Sequence, residues 1–280
     1  MDRRLVRVVV WLVFLGFVAN QVPSSGEDRS ESIHLRTGNN KGQARAKQAG
    51  KLAKKLVGAL PGILKQFEAR RRKLADAGYP RAGVATLLDS TEASLQKEFK
   101  KRDFAPLRDH IAEVFDKARS DLGLPTRTAL RSTPAPQAIL ASLHLTLAAA
   151  VPDSLDPSQT DSVLGWVKSF LEDLKERATR NDLIVDLCVL SNPPKAKVAL
   201  HMASGREIEP TKTNGRLTKL FRGNYFYTVE KRSSPKIDCG SSKPCLKLYD
   251  KKQPVLSCDW DGGGGECLVQ DGWPEACRGR

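Results

Sequence analysis

Cysteine is the residue type in this chain whose number and spacing carry the clearest chemistry. The chain has six cysteines, and five of them lie close together near its C-terminal end. Their spacings do not match the paired CxxC ligands of a structural zinc site, so we predict disulfides. The short loop between Cys239 and Cys245 suits a local bridge, and the remaining tail cysteines are Cys258, Cys267 and Cys277.

Five tail cysteines cannot all pair with one another, and Cys188 is the only other cysteine in the chain. We therefore expect Cys188 to form a disulfide with a tail cysteine and to fasten the tail to the preceding segment. The alternative is that Cys188 is a buried free thiol and that one tail cysteine is unpaired. Six cysteines allow many connectivities, and the sequence does not select among them.

A run of lysine and arginine residues between positions 44 and 78 offers a second kind of chemistry, the binding of anions. Apolar residues recur there every three or four positions, which predicts an amphipathic helix. We expect Val57, Leu60 and Leu64 to anchor its apolar face. Such a helix can bind an anionic membrane or another polyanion, whereas the alternative is an ordinary bundle helix with a charged solvent face. The candidate binding residues are Lys51, Lys54, Lys55, Arg70, Arg71, Arg72 and Lys73.

The remaining titratable residues form no recognisable catalytic pattern. The histidines are scattered, and we expect each to be solvated or paired: they are His34, His110, His144 and His201. The chain has no Gly-x-Ser-x-Gly, His-Glu-x-x-His or phosphate-loop motif, so we predict no catalytic residue, no metal and no cofactor. Asp259, Asp261 and Glu266 flank a glycine-rich stretch but lack the alternation of a calcium-binding EF-hand, so we expect a hairpin loop there.

The first residues have the order of a secretory signal peptide. MDRRLVR is basic, the segment from Val8 to Ala19 is apolar, and small and polar residues follow. The apolar segment is shorter than the ~20 residues of a membrane span. Cleavage near Val22, Pro23 and Ser24 would release the protein, and an uncleaved N-terminal anchor is the alternative. We therefore predict an exported protein that is periplasmic, secreted or anchored to the membrane by its N-terminus.

The elements that position these residues fall into two classes. Helical spacing of apolar residues continues to about residue 180, and from about Asp182 the pattern changes to the alternation of strands. The predicted fold class is α+β: an N-terminal helical bundle followed by a small antiparallel β-sandwich with a disulfide-rich β extension. The predicted division is a signal peptide or anchor at 1–25, a disordered linker at 26–42, a helical domain at 43–180, a sandwich at 181–236 and a Cys-rich extension at 237–280.

The β segment resembles a known family. A strand runs into the turn Ser191-Asn192-Pro193-Pro194, a valine-containing second strand follows, and a glycine precedes the last strand. This order, over residues 183–230, resembles the PEGA domain and the related carboxypeptidase-regulatory-like β-sandwich, although Lys195 replaces the family's usual Gly. The resemblance implies a binding or spacer module without catalytic residues. The matching positions are Ser191, Pro193, Pro194, Ala196, Val198, Thr213, Leu217, Leu220, Gly223 and Tyr225.

These patterns predict a noncatalytic exported cell-envelope protein with a binding or scaffolding role through the sandwich and the basic helix. The formal net charge of +14 favours an anionic envelope polymer, an anionic membrane surface or a protein partner, and we expect no nucleic acid. The alternative is an exported enzyme or enzyme inhibitor of unknown family that uses the disulfide-stapled tail as its working surface. A pocket that gathers polar side chains would favour the enzyme, and one basic face would favour the binding protein.

Overall fold

The computed structural model describes residues 30–100, 104–127, 152–202, 207–213, 215–232, 234–240, 243–260 and 264–278. The chain divides into one unit at 1–40 and a second at 41–280, and the first is described only as helix from residue 30. The predicted signal peptide lies outside the described residues. The prediction of a disordered linker at 26–42 is wrong for residues 30–42, because these residues belong to a helix. Once a helix has nucleated, each added residue contributes a backbone hydrogen bond.

Four long helices precede the strands in the described part of the chain. They are α1 (Ser30–Asp76), α2 (Arg81–Glu98), α3 (Ala105–Asp121) and α4 (Pro157–Thr179). Their apolar stripes meet in one core, in which Leu56, Leu88, Ile111 and Leu171 are fully buried. A proline inside a helix removes one backbone hydrogen bond. Pro61 nevertheless does not split α1 into two shorter helices, because α1 continues through it.

Capping residues and glycine define where the helices begin and end. Asp156 precedes α4, and its side chain accepts a hydrogen bond from the Gln159 backbone N–H at 2.8 Å. This bond satisfies one of the unpaired donors of the first helical turn. Pro157 occupies the first helical position, where its missing N–H has no partner to lose. Gly123 follows α3 with a φ of +62°, which suits a glycine just beyond a helix end.

The strands form two sheets that enclose a second core, so the chain has the predicted α+β class. The strands and the short C-terminal helix are β1 (Ile184–Asn192), β2 (Lys197–His201), β3 (Glu207–Lys212), β4 (Gly215–Phe221), β5 (Asn224–Glu230), β6 (Ile237–Asp238), β7 (Leu246–Lys247), β8 (Pro254–Asp259), β9 (Glu266–Asp271) and α5 (Glu275–Arg278). One sheet has the order β4-β1-β8-β9, and the other has the order β3-β2-β5-β6, with β7 pairing to β5. Leu187, Val198 and Tyr225 are buried between the two sheets.

The cysteine-rich tail is part of the sandwich and not an extension of it. β8 lies inside the first sheet, between β1 and β9, and its residues Val255 and Leu256 are buried. β8 pairs with β1 in the parallel direction, with Cys188 opposite Val255, so this sheet is mixed rather than purely antiparallel. These two strands are far apart in sequence, and no local pattern reports such a pairing.

The helices pack directly against the sandwich at the turn between β4 and β5. Gly223 in this turn has a φ of +149°, and a Cβ atom on it would lie 2.3 Å from the backbone of Pro106 at the start of α3. The rings of Phe104 and Phe221 meet edge to face, with centroids 4.6 Å apart. Residues 41–280 form one compact unit, so the predicted boundaries at 180 and 236 do not separate independent bodies.

All six cysteines are in disulfides. The predicted staple is confirmed, and the alternative of a free thiol at Cys188 is wrong. Three disulfides indicate an oxidising, extracellular environment, because cytosolic thiols are kept reduced. Among the residues described, none of the helices has the length and apolar character needed to cross a membrane. The pairs are Cys188–Cys277, Cys239–Cys245 and Cys258–Cys267.

Candidate functional site

The exposed face of α1 carries a line of positive charge. At 3.6 residues per turn, five exposed cations of α1 fall within about 60° of arc, on the side opposite its buried leucines. They extend over about 37 Å of helix axis at a rise of ~1.5 Å per residue. We call this set the basic ridge: it consists of Lys47, Lys51, Lys54, Lys65 and Arg72, all of them exposed.

The apolar face of α1 is fixed inside the protein. Leu56 and Leu60 are fully buried, Phe67 is 1% exposed, and Leu64 is partly buried against the same core. The expectation that Leu60 and Leu64 anchor this face is therefore confirmed. The expectation for Val57 is wrong, because Val57 lies at the edge of the buried stripe and is 38% exposed. α1 cannot turn its apolar face toward a membrane without leaving the bundle.

The ridge cations have no ionic partner among the residues that the structure describes. Glu68 follows Lys65 in the sequence, but its carboxylate lies 2.8 Å from Lys168 Nζ and 3.8 Å from the Arg71 guanidinium. Asp76, at the C-terminal end of α1, is exposed and lies on the same side as the ridge. Charges that the protein does not neutralise keep their attraction for a ligand, and salt screens that attraction.

The residues in the middle of the ridge have small side chains or none. Gly58, Pro61 and Gly62 are exposed between Lys54 and Lys65. A Cβ atom added at Gly58 or at Gly62 would have no neighbour within 4 Å. An extended ligand could therefore approach the helix backbone closely while its charged groups meet the cations at either end.

The structure separates the seven predicted binding residues into two groups. Lys51, Lys54 and Arg72 belong to the basic ridge, and Lys73 is exposed beside it. The other three contact neighbouring helices, and the composition of the basic run does not show which of its cations make such contacts. Lys55 pairs with Glu98 at 3.0 Å, Arg70 donates a hydrogen bond to the Ser90 hydroxyl at 2.6 Å, and Arg71 pairs with Asp161 at 2.7 Å.

Two members of the ridge, Lys47 and Lys65, belong to the same basic run but not to the seven candidate binding residues. Lys47 is four positions before Lys51, which places both on one side of the helix. Lys65 is eleven positions after Lys54, or about three helical turns, and so lies on the same side as well. The helical spacing of the cations, rather than their clustering in sequence, is the signal that identifies these two residues.

Arg71 joins α1 to α4 and is not available to a ligand. Its Nε and Nη2 atoms donate hydrogen bonds to Asp161 Oδ1 at 3.2 and 2.7 Å, and the Tyr79 hydroxyl donates to the same oxygen at 2.8 Å. The Arg71 guanidinium, with help from Tyr79, holds the pKa of the Asp161 carboxyl below its ordinary value. Arg71 therefore fixes the position of α1, and this contact keeps the ridge facing outward.

The glycine-rich stretch and the histidines add no metal centre within the described ranges. No group of three or more His, Cys, Asp or Glu side chains there is arranged to hold a metal ion. Asp261 and His144 lie outside the described residues. His110 is packed rather than solvated, because its side chain is only 15% exposed and stacks on Tyr249.

Comparison with known proteins gives no further guide to this site. No protein-family model, curated protein or solved structure matches the chain. Function is therefore inferred from the placement and charge of the side chains themselves.

Proposed function

We propose that this protein is a noncatalytic exported envelope protein that binds a linear anionic polymer through the basic ridge. The observation that carries the proposal is the single strip of five exposed cations on α1, none of which is paired with another described residue. The helical bundle holds this strip rigid because the leucines beneath it are buried. The disulfide-stapled sandwich then serves as the scaffold on which the bundle is carried.

The shape of the ridge favours a polymer over a membrane surface. The strip is one cation wide and about 37 Å long at ~1.5 Å per residue, so it matches a chain that follows the helix axis. A helix that binds a membrane interface inserts its apolar face into the lipid. On α1 that face is already buried in the bundle, with Leu56 and Leu60 fully inaccessible. Attraction to anionic lipid would then depend on charge alone.

An exported location is part of the proposal. The oxidising environment indicated by the three disulfides supports it. The basic and apolar segments at the start of the sequence support a signal peptide or an N-terminal anchor. We infer that the protein reaches the periplasm or the exterior, where it is either released or held at the membrane by its N-terminus.

We also propose that residues 183–230 are a PEGA-like module within the larger sandwich. Four of the matching positions form one hydrogen-bonded turn, which supports the assignment. The Ser191 hydroxyl lies 2.5 Å from the Thr213 hydroxyl and donates to the Pro193 carbonyl at 2.8 Å. The Ala196 backbone N–H donates to the Thr213 hydroxyl at 2.9 Å, and the Thr213 N–H donates back to the Ala196 carbonyl at 2.8 Å. These residues fix the turn, which fits a spacer role.

A titration with dextran sulfate, with unsulfated dextran as the neutral control polymer, tests the proposed binding. Each charge of a single-stranded polyanion that a protein neutralises contributes roughly 0.7 to the slope of log K against log salt, so five cations predict a slope of about −3.5. Affinity should then fall about 100-fold between ~50 and ~200 mM salt. Unsulfated dextran should not bind at any salt concentration.

A matched pair of variants separates the ridge from net charge. The ridge variant carries Lys51→Gln, Lys54→Gln and Arg72→Gln, and it should reduce the salt slope by about 2. The control variant removes the same charge at exposed lysines elsewhere: Lys175→Gln, Lys243→Gln and Lys252→Gln. Both should melt near the wild-type temperature, since solvated charges contribute little to folding. Equal loss of binding in the two variants, or tighter binding to anionic vesicles than to dextran sulfate, would contradict the proposal.

A further inference from the structure

A cavity between the helical bundle and the sandwich has the features of a small-molecule site. It has a volume of about 420 Å³ and lies between α3, α4 and the segment that joins β7 to β8. Ligand sites typically have volumes of ~300–1,000 Å³ and often lie where two parts of a fold meet. The cavity is separate from the basic ridge, and its lining includes His110, Glu113, Lys117, Trp166, Lys247 and Tyr249.

Aromatic side chains form the wall and the floor of this cavity. Trp166 on α4 is one of the large apolar side chains that remain exposed, at 39%. Lys117 Nζ lies 5.0 Å from the centroid of its ring. The imidazole of His110 stacks on the ring of Tyr249 with centroids 4.2 Å apart and an angle of 27° between the planes. The lining thus combines a partly exposed indole with the stacked His110–Tyr249 pair, which we call the aromatic floor.

Two contacts of Tyr249 with α4 hold the aromatic floor in place. The Tyr249 hydroxyl donates a hydrogen bond to Asp173 Oδ2 at 2.9 Å, and the guanidinium carbon of Arg177 lies 4.7 Å from the Tyr249 ring centroid. Burial, reinforced by Asp173, raises the pKa of Tyr249, so the phenol stays protonated and keeps donating. A preformed floor lowers the entropy that a ligand must lose on binding.

The charges that line the cavity leave an excess of positive charge for a ligand. The Glu113 carboxylate accepts hydrogen bonds from Lys247 at 2.5 Å and from Asn224 at 2.6 Å. The second acid, Asp250, is exposed and lies 3.6 Å from Arg177, which also pairs with Asp173 at 2.9 Å and with Asp182 at 3.7 Å. The described lining thus carries two acids and three lysines, and Lys247 neutralises Glu113. Two further amines of the lining remain, on Lys117 and on Lys251.

Those two amines are only weakly held. Lys251 takes part in no ion pair with the residues described here, whereas Lys117 has an exposed contact with Asp121 at 3.3 Å and lies over the Trp166 ring. Exposed pairs of this kind stabilise proteins very little, so a bound anion could replace Asp121 as the partner of Lys117.

We propose that this cavity binds one acidic sugar unit, a pyranose ring that carries a carboxylate. The part of the Trp166 indole that stays exposed beside Lys117 suits the apolar C–H face of a pyranose, and the amines of Lys117 and Lys251 suit its carboxylate. The hydroxyls of the ring find donors and acceptors in the remaining polar lining. Such a unit comes either as a free sugar or as the end of an acidic polysaccharide, and the two sources share this chemistry.

Calorimetric titration of the full protein with D-glucuronate and D-glucose tests the assignment. Glucuronate should bind, glucose should bind at least tenfold more weakly, and benzoate should bind more weakly than glucuronate because it lacks the hydroxyls. Trigalacturonate distinguishes the two sources when it is titrated into the ridge variant, in which binding to the basic ridge is reduced: tighter binding than glucuronate indicates the end of a chain, and equal binding indicates a free sugar. Glucose or benzoate binding as tightly as glucuronate would overturn the assignment.

Three variants locate the bound sugar. Trp166→Ala should weaken glucuronate binding about tenfold without altering the melting temperature much, because this side chain is partly exposed. The double change Lys117→Gln and Lys251→Gln should weaken glucuronate binding and leave the residual affinity for glucose unchanged. Lys243→Gln removes an exposed lysine that is not part of the lining, so it should have no effect. Wild-type affinity in both cavity variants would place the sugar elsewhere and overturn the proposal.

Discussion

Removal of the Cys188–Cys277 disulfide tests how strongly one crosslink constrains the sandwich. The two cysteines are 89 positions apart, and strands β2 to β9 all lie between them. A crosslink lowers the conformational entropy of the unfolded chain, and the effect grows with the logarithm of the loop length. The double change Cys188→Ala and Cys277→Ala should therefore lower the free energy of unfolding by about 4.6 kcal/mol.

The Cys239–Cys245 disulfide provides the matched control. Its cysteines are only 6 positions apart, so the same relation gives a loss of about 2.4 kcal/mol when both are changed to alanine. Both double variants remove the same atoms from the same sandwich. Cys188 and Cys277 are also the more buried pair, at 1% and 3% exposure, and the lost burial adds to the difference.

Urea titration followed by circular dichroism measures both free energies of unfolding. The slope of the unfolding free energy against urea concentration reports the surface that is exposed on unfolding. This slope should rise more in the variant that lacks Cys188–Cys277, because removal of the long crosslink lets the unfolded chain expand. Equal losses for the two pairs, together with unchanged slopes, would refute the reasoning from loop entropy. Thiol titration of the denatured, unreduced wild type should find no free thiol, since all six cysteines are paired.

Three further predictions follow from single positions and can be checked by chemical denaturation. Gly223→Ala should destabilise the protein by about 3 kcal/mol or more, because its Cβ would lie 2.3 Å from the Pro106 backbone; a neutral result would contradict this close packing. Arg119→Met should cost about 3 kcal/mol, the lower end of the range for a broken buried pair, because Glu92, 2% exposed, loses its 2.7 Å partner but keeps Arg127 at 3.4 Å. Adding Glu92→Met should restore much of that loss, and a double variant no more stable than the single one would count against a buried pair. Burial lowers the pKa of His110 below its ordinary 6.5, so between the two pKa values the unfolded chain binds a proton that the folded chain does not. The stability present above pH ~6.5 is therefore lost as the pH falls toward the folded-state pKa. His110→Phe should flatten this dependence between pH 7 and 5, and an unchanged profile would remove His110 as its cause.

Local patterns in the sequence predicted the elements of this fold because their causes are local. Apolar residues at helical spacing identified the buried stripe of α1, since a helix that packs on a core must repeat such residues on one side. Gly123 and Pro157 mark helix ends by their own backbone preferences. The odd number of tail cysteines predicted that Cys188 is paired, because five cysteines cannot all pair with one another and Cys188 is the remaining one. The change from helical spacing to alternation likewise predicted the α+β class.

The pairings between distant segments could not be predicted in the same way. β8 has a short apolar run that would suit an edge strand or a separate hairpin, and only the assembled sheet places it parallel to β1. Cys277 was one of five candidate partners for Cys188, and the choice depended on where α5 meets β1. Such contacts depend on how chain segments meet in space, and their sequence separation leaves no periodic signal.

The sequence by itself determined that α1 is basic on one side, that the tail is crosslinked and that the fold is α+β. Only the tertiary structure decided which cations are free. Arg71 and Lys55 have the same sequence character as Arg72 and Lys54, yet Asp161 of α4 and Glu98 of α2 neutralise the first two. Helical periodicity specifies the side of a helix on which a charge lies. It does not specify which other helix will come within ion-pair distance, because that depends on packing between segments that are distant in the chain.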